Sequence, residues 1–295
     1  MISTVTISTV EVKVNKNSML KIRAKKLMAN KLAALGLLVC MIMILLAVFA
    51  PLITSYNPTQ MDLTAITQGP SAEHILGTDK LGRDVFAQVL YGGRISIYVG
   101  VLSALGGTII GVLAGAIAGY FGGRIDSLLL RFSEIVMTFP QLILVLVLVS
   151  LLGQGVNNLI IVLIITGWMT TFRLVRNEFL SVREETYVSV CRSFGIPTPS
   201  IIFKHILPNT MSPVIVAFTV NVAGFILAEA GLSFLGLGVP VTTPTWGNIM
   251  NAAQSIDVVT NYWWLWVAPG VAISLFVLAI NFFGDGLRDI LDPKQ

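Results

Sequence analysis

The sequence predicts an all-α polytopic membrane protein with six transmembrane helices. Three observations carry that expectation. Only 12% of the 295 residues are charged and 55% are hydrophobic, against about 25% charge in soluble domains. Six apolar stretches each reach the roughly 20 residues that a helix needs to cross about 30 Å of hydrocarbon. Lys and Arg are distributed unevenly around those stretches, as the positive-inside rule requires.

Residues 1–31 form a basic leader carrying seven of the 19 Lys and Arg residues. The membrane region follows over 32–295. The first span is expected over 32–54. Its long apolar run and the lack of a small-residue cleavage site distinguish it from a cleaved signal peptide. The second is expected over 95–119, the third over 127–152 and the fourth over 157–176. The fifth is expected over 212–236 and the sixth over 262–284. With the amino end inside, 16 of the 19 basic residues fall on the inner side, and only Lys80, Arg83 and Arg94 fall outside. Both termini and the segment 177–212 are therefore expected in the cytoplasm, and the segments 55–94 and 237–261 outside. The two cysteines, Cys40 and Cys191, fall in a span and in the inner segment, so no disulfide framework is implied.

Within the second span, Gly107, Gly111, Gly115 and Gly119 recur every fourth residue. On a helix they make one strip without side chains, along which another helix can pack closely or slide. The outer segment carries Asp79, Arg83 and Asp84, placed either to pair with one another or to meet an external protein. His74 alone makes no metal site. Asn221 and Glu229 are polar residues inside the fifth span. Such groups either line a path through the membrane or bond to a neighbouring helix. Glu134 is expected to pair with Arg131 at i, i+3. The cluster Tyr262, Trp263, Trp264 and Trp266 is expected to anchor the outer interface.

The inner segment holds Tyr187-Val-Ser-Val-Cys-Arg-Ser-Phe-Gly195 and Lys204-His-Ile-Leu-Pro-Asn209. A short helix is expected from about Ser181 to Phe194, with Glu184 and Glu185 near its start and Arg192 near its end, as the helix dipole favours. Gly195 supplies a left-handed cap. Pro197 and Pro199 stop the helix, and residues 200–206 form a turn before Pro208 and Pro213 lead back to the membrane. The expected product is a rigid knob below the bilayer.

This loop resembles that of bacterial ABC importer permeases, whose pattern is Glu-Ala-Ala, three residues, Gly, nine residues, then Ile-x-Leu-Pro. Gly195, Leu207 and Pro208 match at the right spacing, while Ser189-Val190-Cys191 replaces Glu-Ala-Ala and His205 replaces Ile. Four further segments sharpen the resemblance. They are His74-Ile-Leu-Gly-Thr-Asp79-Lys-Leu-Gly-Arg83-Asp84; Ala118-Gly-Tyr-Phe-Gly-Gly123 with Phe139 and Pro140; Leu232-Ser-Phe-Leu-Gly-Leu-Gly-Val-Pro240 with Pro244-Thr-Trp-Gly-Asn248; and Gly284-Asp285-Gly286 with Leu291-Asp292-Pro293. Together they are similar to the second permease of the dipeptide/oligopeptide/nickel ABC importer family, the DppC/OppC type, over about residues 30–293. Ala87-Gln88 departs from the Ser-Arg usual there.

The resemblance implies a type I ABC importer permease fold in a bacterial or archaeal plasma membrane. It implies as partners a second homologous permease, two ATP-binding subunits and an extracytoplasmic substrate-binding protein. ATP and Mg would sit on the ATPase partners, with no cofactor and no metal on this chain. The ATPase-coupling knob carries over to Ser189, Val190, Cys191, Arg192, Gly195, His205, Leu207 and Pro208. The substrates implied are di- and oligopeptides, with nickel or a metal chelate as the alternative.

The residues themselves exclude other classes. The chain has no Gly-x-x-x-x-Gly-Lys-Ser/Thr loop to cradle ATP, no His-x-x-x-His or Cys-x-x-Cys metal motif and no paired acid or nucleophile for catalysis, so it is not expected to be an enzyme. Its basic residues follow membrane topology rather than a nucleic-acid-binding patch. A secondary transporter or channel would need repeats and several intramembrane ionisable groups, whereas Glu229 alone lies deep in a span.

Overall fold

The computed structural model describes Met28 and residues 30–291. Most of the basic leader and the closing Asp292-Pro293 lie outside the described residues. Among those described, the chain is helical, with a single isolated β-bridge between Thr78 and Asp84.

Among the described residues five helices are long and apolar enough to cross a membrane, and a bent pair of helices makes six when it is counted as one span. The first span is Lys31–Val48, N-capped by Asn30 and continued by the turn Ala50–Ile53. The second, Val85–Phe121, starts about ten residues earlier than hydropathy suggests. Gln88 and Arg94 masked that start, yet both are accommodated by the helix. Arg94 donates to the carbonyls of Ala47 and Val48, which the end of the first span leaves without helical partners. The fourth span is Val156–Val182 and the sixth Trp264–Leu291.

The third stretch differs from the expected single helix over 127–152. Helices Gly123–Met137 and Gln141–Leu152 meet at 87° across Thr138, Phe139 and Pro140. Pro140 has no N–H to continue the ladder, and its ring drives Phe139 away from helical backbone. The fifth span also differs. The turn expected at 200–206 is helical: Thr198–Ser200 runs into a wide π turn, Ile201–Ile206, and on into Leu207–Phe234. The whole stretch forms one run of 37 residues.

The spans pack by shape. The strip Gly107, Gly111, Gly115 and Gly119 lies against the fourth span. A Cβ at Gly111 would stand 2.7 Å from the Trp168 carbonyl oxygen, and one at Gly115 would stand 2.7 Å from that of Phe172. Only glycine allows this approach of two backbones. The first span packs on the sixth, and the fifth lies between the second and sixth.

Connections gather at two ends. At one, the cap end, residues 54–84 and 235–263 fold over the spans. Trp264, expected as an interfacial anchor, is buried there and donates from Nε1 to the Thr78 carbonyl at 3.1 Å, while Trp263 is exposed. At the other, the knob end, Arg176 forms a two-pronged ion pair with Asp126, and Arg183 donates to the Gly119 carbonyl at 3.1 Å. Arg131 pairs with Glu134 at 3.1 Å on the surface.

Candidate functional site

The knob helix is Thr186–Ser193, shorter than expected. Ser181 and Val182 still belong to the fourth span, and Arg183, Glu184 and Glu185 make the turn between them. Glu184 pairs with Arg183 at 2.9 Å instead of entering the helix.

Gly195 ends the knob helix with φ +71°. Its N–H donates to the Arg192 carbonyl at 3.0 Å, and the Ile196 N–H donates to the Cys191 carbonyl at 3.1 Å. These two bonds are a Schellman motif, in which a left-handed residue satisfies the last carbonyls. Cys191 and Ile196, the positions such a motif brings together, both pack on the same apolar cluster.

That cluster fixes the knob to the bundle. Val188 is fully buried against Val175 and Phe179 of the fourth span and Ile201 and Ile206 of the π turn. The Arg192 guanidinium lies 5.1 Å from the Tyr120 ring centre at the end of the second span, a cation–π contact. Asn209 donates to the His205 carbonyl at 2.8 Å and to the Tyr187 hydroxyl at 3.3 Å. Leu207 packs on the cluster and Pro208 sits in the first turn of the fifth-span helix. The residues singled out from 189 to 208 thus form one body.

The opposite face of the knob is open. Ser189, Val190 and Arg192 are exposed, and Cys191 is half-buried. Tyr187, Val190 and Phe194 leave 39%, 46% and 82% of their surface exposed. Their spacing of i, i+3 and i+7 puts them along one side of a helix. Tyr187 and Phe194 stand outside the expected coupling residues, and this spacing is their signal in the sequence. The knob thus carries an exposed apolar stripe on a body fixed to the bundle.

At the cap, Asp79, Arg83 and Asp84 are engaged internally. Asp79 pairs with Arg83 at 2.7 Å, accepts the backbone N–H groups of Leu81 and Arg83, and accepts from Gln88 Nε2 at 3.0 Å. Gln88, at the position of departure from the usual Ser-Arg, therefore holds the same turn. Asp84 caps the second span by accepting the Ala87 N–H at 2.6 Å, and it bonds the buried His74 Nδ1 at 2.9 Å. Asp84→Ala is expected to cost about 2 kcal/mol, from the lost cap and the stranded imidazole, whereas Asp84→Asn keeps most of it. Thermal unfolding of the detergent-solubilised chain measures both, and equal midpoints for Ala and Asn would contradict this assignment.

Asn221 and Glu229 part company. Asn221 is half-buried on the wall of a cavity of about 430 Å³ between the third, fourth and fifth spans. Glu229 is fully buried, nearer the cap. Its carboxyl accepts the hydroxyls of Ser96 and Ser233, each at 2.8 Å. Those serines in turn accept the backbone N–H groups of Trp246 and Val239 at 3.2 and 3.3 Å. The carboxyl thereby joins the second span, the fifth span and the cap loop.

Comparison with known proteins agrees with this geometry. Residues 111–295 match the family model described as binding-protein-dependent transport system inner membrane component. Residues 18–70 match the N-terminal TM domain of oligopeptide transport permease C. The chain is 42% identical over 270 residues to the dipeptide transport system permease protein DppC of Bacillus subtilis, covering 92% of this chain and 84% of that one. It is 39% identical over 279 residues to the oligopeptide transport system permease protein OppC of the same organism, covering 95% and 89%. In three dimensions it matches a chain of the MetNI methionine ABC transporter in an inward-facing conformation. That match has a TM-score of 0.55 at 18% identity and covers 69% of this chain and 96% of the other, a likeness of fold alone.

Proposed function

Since the chain belongs to the family of binding-protein-dependent transport system inner membrane components, we propose that it is the pore-forming permease subunit of an ATP-driven importer of di- and oligopeptides. The peptide assignment draws on the relatives named for dipeptide and oligopeptide transport. The partners are a second homologous permease, two ATP-binding subunits that hold ATP and Mg, and an extracytoplasmic binding protein that delivers the peptide. The knob end faces the cytoplasm, in keeping with the positive-inside count.

The observation that carries the coupling is the two-sided knob helix. One side, through Val188 and Cys191, belongs to the core beneath the spans. The other presents Tyr187, Val190 and Phe194. In this reading the stripe fits a cleft on an ATP-binding subunit. Closure of the ATPase pair then moves the knob, and the knob moves the spans packed on it, which is coupling through an element with two positions.

Two substitutions test the role. Phe194→Asp is expected to weaken docking by about 2 kcal/mol or more, roughly 30-fold, as loss of a central aromatic anchor does. Gly195→Pro removes both the left-handed residue and the N–H given to Arg192. It is expected to uncouple uptake from ATP hydrolysis while the protein stays inserted. The measurement is co-purification of the two ATP-binding subunits with the tagged chain, together with hydrolysis and peptide uptake by the recovered complex. Normal uptake in both variants would refute the coupling role.

A further inference from the structure

We infer that the cavity between the broken third span and the fourth and fifth spans is a subsite for the peptide backbone on the transport path, an inference that rests on the peptide-importer reading. Its volume of about 430 Å³ lies within the range of sites that hold small organic ligands. The proline break creates it: the turn at Phe139 and Pro140 swings the second half of the third span aside, and Gln141 stands at the new helix start.

The chemistry of the wall selects the ligand class. Its polar side chains are Gln141, Thr166, Thr170 and Asn221, and no ionisable side chain lines it. Asn221 gives one N–H to Thr171 Oγ1 at 3.2 Å and keeps its carbonyl oxygen and second N–H for a ligand. Thr166 donates its hydroxyl to the Val162 carbonyl at 2.8 Å, which leaves it an acceptor. Neutral amides and hydroxyls bond peptide N–H and C=O groups whatever the side chains are. A bare divalent cation would call for carboxylate or imidazole ligands, and the wall offers neither. The site therefore reads what all peptides share and is indifferent to the charge on their side chains.

Two positions make this testable. Asn221→Asp places a carboxylate on the wall. Gly224 lines the cavity, and a Cβ built there meets no atom within 4 Å, so the side chain of Gly224→Leu starts into open space. The experiment measures uptake of labelled Ala-Ala, Lys-Ala and Glu-Ala by cells carrying the assembled importer. The wild-type chain is expected to take up all three at similar rates. In Asn221→Asp the ratio of Lys-Ala to Glu-Ala uptake is expected to rise about tenfold, as one added charge in a poorly screened site gives. That ratio does not depend on how much protein reaches the membrane. In Gly224→Leu uptake of all three is expected to fall, with the amount of inserted protein unchanged by immunoblot.

Absence of dipeptide uptake by the wild-type importer would overturn the peptide reading and this inference together. Wild-type uptake with an unchanged charge ratio in Asn221→Asp would overturn the inference alone. So would full uptake in Gly224→Leu.

Discussion

Arg176→Ala is expected to lower the stability of the solubilised chain by about 1–3 kcal/mol, the cost of stranding one partner of a partly buried, hydrogen-bonded ion pair. Both side chains are well shielded, at 16% and 14% exposure for Arg176 and Asp126. The pair fastens the start of the third span to the end of the fourth, beside the link through Gly122 and Gly123. Truncating the arginine leaves the Asp126 carboxylate shielded and unmatched. Replacing both residues with apolar ones of similar size removes the stranded charge, so the variant carrying Arg176→Met and Asp126→Leu is expected to regain most of the loss. Thermal unfolding in detergent distinguishes the cases. An unchanged midpoint for Arg176→Ala would reduce the pair to a surface contact.

The second large effect is expected from the smallest possible change. Gly111→Ala and Gly115→Ala each add a single carbon, yet each carbon would stand within 3 Å of the fourth span's backbone. The helices must part, at about 1–3 kcal/mol per site for an overpacked contact. Two neighbouring sites on one strip are not expected to add independently. Gly231→Ala is the control, because a Cβ there meets nothing within 4 Å and alanine favours the helix over glycine. The double variant is expected to accumulate poorly and melt early, while the control matches or exceeds the parent. Equal behaviour of the two would mean that the glycine strip faces no close neighbour in the membrane.

Much of the architecture was legible because hydrocarbon length and charge are properties of composition. The positions of the fourth and sixth spans follow from apolar length alone. The break in the third span is hidden from hydropathy, which adds residues without regard to direction. Pro140 is visible in the sequence, but a proline can kink a helix or break it, and the packing of the two halves decides which. The second span's early start is hidden by Arg94, a charge whose partners, the carbonyls of Ala47 and Val48, lie 47 and 46 positions away in the sequence. At the knob, Gly195 announced its own conformation, but the register of the helix before it depended on Glu184 turning back to Arg183. Ser96 and Ser233 gave no sign in the sequence of their meeting at Glu229. That meeting spans 133 positions and exists only once the spans are packed.

The continuity of the fifth span through its π turn gives the molecule a mechanical property. At about 1.5 Å per residue, the run of 37 residues from Thr198 to Phe234 is a rod roughly 55 Å long. Its near end is packed with the knob, and its far end carries Glu229 and the serines that hold the loop over the opposite side. A lever of that length magnifies. A tilt of about 5° about the near end displaces the far end by roughly 5 Å, following from the same helical rise. A displacement of the knob end is therefore carried to the opposite end of the molecule by one continuous helical run, without relay through loops or intermediate side chains.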